Sequence, residues 1–236
     1  MISIRKSDDR GAADLGWLRS RATFSFGGYQ DPKFVGFRAL RVLNEDRIAP
    51  GKGFGPHSHR DMEILTYMIE GQLRHRDHLS GTHVLGRNEL QAMSAGDGIV
   101  HSEFNASETD GSHSLQIWID PLAEDLTPSY QQIGFTPEER RGQLRLLAGP
   151  QGSAGPGVAT INQHAWVYVT EVVPDAPVTH ILEPDRHAWV QVVRGQVTVN
   201  GYQLGQGDGA AISDERQVTL TAGGPDGAEL LLFDLA

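Results

Sequence analysis

The chain has no cysteine. That absence removes disulfides, thiolate nucleophiles, cysteine-ligated zinc and cysteine-bound iron–sulfur clusters, so any metal must be held by nitrogen and oxygen. Long apolar runs are missing too. No window approaches the roughly 18 apolar residues of a membrane helix, and the stretch Met1–Arg10 lacks the apolar centre of a signal peptide. A soluble cytoplasmic protein with no membrane partner is expected. Basic charge is scarce: 20 Lys and Arg stand against 30 Asp and Glu, a formal charge of −10. Such a field repels a phosphate backbone, no basic run offsets it, and no direct nucleic-acid partner is expected. No Gly-x-Ser-x-Gly elbow occurs, which leaves a serine hydrolase without support. The loop Gly205-Gln206-Gly207-Asp208-Gly209 is followed by no helical pattern, and its third glycine is misplaced for dinucleotide binding.

Glycine and proline are plentiful, at 28 and 12 of 236 residues, which points to a chain of short strands and turns. Leu40, Val42 and Leu43 predict a strand, and Met62–Ile69 is a nearly unbroken apolar run suited to a strand covered on both faces. Val190, Val192, Val197 and Val199 flank Arg194-Gly195 and predict a hairpin there. Thr136-Pro137-Glu138-Glu139 carries a capping hydroxyl, a proline at the first helical position and first-turn acids, so one short helix is expected.

Two pairs of residues carry the chemistry. His57 and His59, and His101 and Glu103, are each spaced i and i+2, and alternate strand residues project to one face. Each pair is a pincer, and two strands can close both around one metal ion. The remaining histidines (His75, His78, His83, His113, His164, His180 and His187) read as surface or satisfied core residues. The ligand set leaves room for Glu63 as well as Glu103.

These residues fit a known pattern. Gly51, His57, His59 and Glu63, followed by Gly98, His101 and Asn105, resemble the two successive motifs of the cupins. That resemblance implies a double-stranded β-helix, a small jelly-roll barrel with the site in its mouth. The likeness extends to the pirins, two-cupin proteins with one metal-bearing and one degenerate module. It is carried by Thr23-Phe24-Ser25-Phe26, by Gly53–Tyr67 and by Ser94–Asn105. The chain looks most similar to bacterial pirin-like proteins with quercetin dioxygenase activity. Pirins have His-Pro-His where Ser58 stands here, at a position that points away from the metal. Similarity to pirins assigns the fourth ligand to Glu103 rather than to Glu63, the usual cupin position; the i, i+2 spacing agrees, and Glu63 is then expected behind the imidazoles.

The fold class expected is therefore all-β, with two tandem cupin barrels and one short helix. Residues 1–140 would form the metal-binding module and 141–236 the degenerate one, with Gly149–Gly157 a surface loop or link between modules. A faint repeat supports this: Glu70-Gly71-Gln72-Leu73 matches Arg194-Gly195-Gln196-Val197, and Gly96-Asp97-Gly98 matches Gly207-Asp208-Gly209. In that register His101 falls opposite Ile212 and His57 opposite Ile181, while His180 and His187 lie one position off, so the second module is expected to bind no metal.

Three imidazoles and a carboxylate leave open positions suited to Fe(II), first, or to Mn(II), Ni(II), Cu(II) or Zn(II). The resemblance implies a metal-dependent dioxygenase that takes a flavonol such as quercetin and dioxygen and opens the central ring with release of carbon monoxide. Glu103 would accept the 3-hydroxyl proton as the catalytic base. The alternative is a redox-sensitive regulatory protein acting through protein partners, as the same resemblance suggests for eukaryotic pirins. Phe24, Phe26, Phe54, Met62, Leu65, Met93 and Ile117 either wall a flat pocket or simply pack. A monomer is expected, because two modules in one chain can bury each other's edges.

Overall fold

The computed structural model describes residues 1–153, 155 and 157–236. Ala154 and Pro156, in the glycine-rich segment expected to be a loop or link, lie outside the described residues. Among the described residues there are 21 strands, one α-helix and one 3-10 turn. The helix is Pro137–Arg140, with proline in its first turn, and the backbone N–H of Thr136 donates to Glu139 Oε2 at 2.7 Å. Among the described residues no helix is long and apolar enough to cross a membrane.

The chain forms two compact units, one of Gly11–Phe135 with Pro150–Gln163, the other of Met1–Arg10, Thr136–Gly149 and His164–Ala236. The first unit holds two antiparallel sheets. Seven strands run in the order Ser129–Gly134, Glu89–Ser94, Glu63–Glu70, Ser112–Ile119, Leu40–Ile48, Leu18–Ala22 and Gly11–Asp14. Four run in the order Gly53–His59, Ile99–Asn105, Gln72–Asp77 and Gly81–Gly86. Glu63–Glu70 is buried on both faces up to its last residue, as its apolar run predicts. At Gly71 the chain leaves the larger sheet for the smaller. Its φ is +72°, and a Cβ there would lie 2.7 Å from the Gly111 carbonyl, so glycine alone fits.

Ile99–Asn105 alternates strictly. Ile99, His101, Glu103 and Asn105 are buried, whereas Val100 is exposed. Asn105 anchors the strand's end by donating from Nδ2 to the carbonyls of Ile48, Ala49 and Asp110, at 3.1, 3.3 and 2.8 Å. The cupin asparagine is thus a clamp on neighbouring loops, and the candidate ligands His101 and Glu103 sit upstream on the same inward row.

In the second unit, strands run in the order Ile2–Arg5, Gly209–Ile212, His187–Val199, Ala228–Leu235, Ala165–Val172 and Arg145–Gly149. The far half of His187–Val199 pairs instead with Tyr202–Gly205 and Gln217–Ala222. The hairpin predicted at Arg194-Gly195 is not there. His187–Val199 is one strand with a register shift between Val192 and Arg194, and the turn falls at Asn200-Gly201, linking Val199 to Tyr202. Asn-Gly tolerates the positive φ values of a tight hairpin, here +45° and +89°, better than an Arg-Gly step does. Gly195, with φ of +79°, does what Gly71 does: it passes one strand from sheet to sheet. The internal repeat is therefore a repeat of geometry, two all-β cupin-like modules in one chain.

Candidate metal centre

Antiparallel pairing of Gly53–His59 with Ile99–Asn105 sets His101 opposite His57 and Ile99 opposite His59. The register then shifts, so that Glu103 faces Phe54 and the extra residue bulges the first strand at Gly55-Pro56. Three imidazoles meet as a result. Ring centroids of His57 and His59 are 4.8 Å apart, those of His57 and His101 4.4 Å, and those of His59 and His101 4.9 Å. One nitrogen from each lies within 4.8 Å of the other two. Ser58 is exposed on the opposite face.

The protons on these rings are constrained. His57 Nδ1 lies 2.8 Å from the Gly55 carbonyl, which can only accept, so Nδ1 carries a proton and Nε2 is the nitrogen left to face an ion. His101 is buried, and its Nε2 has no hydrogen-bond partner. Burial, then the neighbouring His57, lowers the pKa of His59 to about 4. Burial again leads for His101, followed by His57, His59 and His75; with Asp77 pulling the other way, the value falls to about 3. Both rings are neutral at pH 7. Neutral imidazoles crowded together with a buried nitrogen left over are the donor set that a borderline divalent metal takes.

Glu103 is nearly inaccessible and joins His101 and His75 in a second group, its ligand atom within 4.8 Å of theirs. It does not form one such group with His57 and His59. Its carboxylate accepts from Gln91 Nε2 and Gln116 Nε2, each at 3.0 Å, and both glutamines stand on the larger sheet. Thr66 Oγ1 donates to Gln116 Oε1 at 2.7 Å and orients that amide. Glu63 is elsewhere engaged: it accepts from Ser94 Oγ at 2.6 Å and from Asn162 Nδ2 at 3.0 Å.

Sequence reasoning passed over His75. Read from sequence as a surface or satisfied core residue, it is in fact wholly buried and partnered, 3.3 Å from His101 between the two Nδ1 atoms, and it reaches Asp77 Oδ2 from Nε2 at 2.6 Å. The alternation Leu73, His75, Asp77 on an inward row was the available signal. Gln91 and Gln116 were missed as well. His83, His113, His180 and His187 do hold ordinary partners: Ser80 O, Glu45, Asp234 and Ser213, at 2.9, 2.9, 2.7 and 2.8 Å. Of the apolar candidates, Phe24, Leu65, Met93 and Ile117 are core. Phe26 is 39% exposed and meets Trp118 edge-on at 5.5 Å, and Trp118 lies 5.0 Å from His59.

The family model described as Pirin matches residues 4–119, and one described as Quercetinase C-terminal cupin domain matches residues 146–235. A quercetin 2,3-dioxygenase of Escherichia coli (strain K12) is 43% identical over 235 residues, an alignment covering 100% of this chain and 99% of the relative. A pirin-like protein of Caulobacter vibrioides is 38% identical, with both chains covered in full at 100%. The crystal structure of the bacterial pirin YhhW from Escherichia coli in complex with nickel(II) matches with a TM-score of 0.92 and 44% identity, over 100% of this chain and 99% of that one.

Proposed function

The chain belongs to the pirin family, and from that membership we propose that it is a metal-dependent quercetin 2,3-dioxygenase whose ion is held by His57, His59, His101 and Glu103. The observation that carries this reading is the inward trio of imidazoles with the unpartnered Nε2 of His101, in a chain aligned end to end with an enzyme of that name. All four residues lie in the proposed N-terminal module, residues 1–140; residues 141–236 are taken to hold no metal.

A divalent transition metal held there, Fe(II) in the first instance with Mn(II), Ni(II), Cu(II) or Zn(II) as substitutes, would supply Lewis acidity towards an enol-bearing substrate and dioxygen. The chain supplies the rest. Trp118 offers a ring surface beside His59 for a flat aromatic substrate, with Phe26 edge-on to that indole. Glu103 takes the proton of the flavonol 3-hydroxyl onto a carboxylate oxygen, which leaves the substrate as its enolate. Gln91 and Gln116 hold that carboxylate in place, so that it loses little orientation on accepting the proton. The substrate gains both atoms of dioxygen, its central ring opens, and one ring carbon departs as carbon monoxide.

The test is to load the purified chain with each metal in turn and to follow loss of the quercetin absorbance together with carbon monoxide release. Turnover with at least one metal, abolished by His101→Ala, is expected. Absence of turnover with every metal, or turnover that survives His101→Ala, would overturn the assignment.

A further inference from the structure

His75 has no part in the chemistry above, yet it is wholly buried and stacks on Tyr130 with ring centroids 4.7 Å apart. Its two hydrogen-bond neighbours are His101 Nδ1, at 3.3 Å from its own Nδ1, and Asp77 Oδ2, at 2.6 Å from its Nε2. The row His101–His75–Asp77 therefore starts at a candidate ligand and ends at an acid.

Proton positions follow from the far end. Asp77 Oδ1 accepts the backbone N–H groups of Leu79 and Ser80, both at 2.6 Å, and Oδ2 accepts the Ser80 hydroxyl at 2.5 Å. Burial alone would raise this carboxyl, but the bonds from Ser80, His75 and Leu79 outweigh it and hold Asp77 well below the usual carboxylate range. An ionised Asp77 only accepts, so His75 Nε2 carries a proton. A neutral His75 then offers a bare lone pair at Nδ1, and His101 must donate into it from its own Nδ1, since two facing lone pairs repel.

The other arrangement is a doubly protonated His75. It would donate to both neighbours and drive the proton of His101 to Nε2, which finds no hydrogen-bond partner among the described residues. A buried N–H left without a partner is rarer and costlier than an unpaired acceptor.

We propose that Asp77 and His75 are positioning residues that fix the tautomer of His101, placing its proton on Nδ1 and keeping Nε2 open as a metal-binding lone pair before any metal arrives. The metal consequence rests on the reading of the site given above; the tautomer itself does not.

Nitrogen-15 labelling of the histidines in the full-length, metal-free protein, read by long-range proton–nitrogen correlation, tests the tautomer directly. His101 is expected as the Nδ1–H form and His75 as the Nε2–H form. His101 found as Nε2–H, or His75 found with both nitrogens protonated, overturns the proposal. In Asp77→Asn the amide oxygen can still accept from Leu79 and Ser80, while the NH2 group faces His75 and reverses the row. Nickel(II) affinity is expected to fall about 10- to 100-fold, with circular dichroism unchanged and the His101 proton moved to Nε2. A folded Asp77→Asn protein with unaltered nickel affinity and tautomer overturns the proposal; should the variant fail to fold, the wild-type spectrum decides alone. Wild-type protein with the expected tautomers that binds no nickel would support the proton assignment and overturn the metal reading instead.

Discussion

Burial and crowding lower His59 to about 4 and His101 to about 3, so at neutral pH neither ring carries a second proton for a metal to displace. The sign for stability follows. Both folded values lie below the ordinary 6.5, so the unfolded chain takes up protons first as pH drops, and stability held above pH 6.5 is lost progressively towards pH 3–4. The metal-free protein should therefore show a falling Tm as pH is lowered from 6.5 to 4, and His101→Gln should flatten part of that slope. A His101→Gln profile parallel to wild type would sink this account. The convergence of His57, His59 and His101, and the shared inward row of His101 and Glu103, were legible because a two-residue spacing on a strand is a local signal. His75 was not, because Arg74 and Arg76 make its segment look solvated, although both point away from the buried row. Gln91 and Gln116 leave no mark in sequence, since their role arises only where the two sheets face each other across Glu103.

Strands carry the site only as well as they approach one another. A Cβ at Gly53 would run into the Glu103 carbonyl and the Phe104 Cα, whereas one at Gly55 would meet nothing within 4 Å. Gly53→Ala must push Gly53–His59 away from Ile99–Asn105 beside the proposed acid ligand. Overpacking of this kind costs about 1–3 kcal/mol, a Tm loss of about 2–12 °C for a chain of this size, and nickel affinity should weaken with it. Gly55→Ala, which keeps the carbonyl that accepts from His57, should be near neutral in both measurements. Equal effects of the two substitutions by calorimetry would show that the close approach does not matter. The apolar run ending at Glu70-Gly71 announced its strand correctly, but the Arg194-Gly195 pair announced a turn that is a crossing between sheets. A glycine at positive φ serves either purpose, and the choice is made by the approach of distant backbone, Gly111 to Gly71 and Gly227 to Gly195.

At the scale of the whole chain, composition marks Gly149–Gly157 as a break but is blind to pairing across 200 or so residues. Ile2–Arg5 adds an edge strand to Gly209–Ile212, with Ile2 opposite Ile212 and Arg5 opposite Gly209. Ile2 and Ile4 pack against the core of the unit that holds His164–Ala236. Lys6 Nζ and the Ser7 N–H then close on Asp208, at 2.8 and 2.7 Å. The exposed Lys6 contributes little by itself; the strand and the two isoleucines matter more, because without them Gly209–Ile212 becomes an open edge over an uncovered core. Deleting residues 1–10 should lower the Tm and create new protease cuts within residues 187–222. Nickel affinity should stay within about twofold, because the four proposed ligands all belong to the other compact unit. Limited proteolysis and a nickel titration on the same preparation decide the matter: an unchanged digestion pattern would mean that the strand is dispensable, and a collapse of nickel binding would mean that the two units do not fold independently.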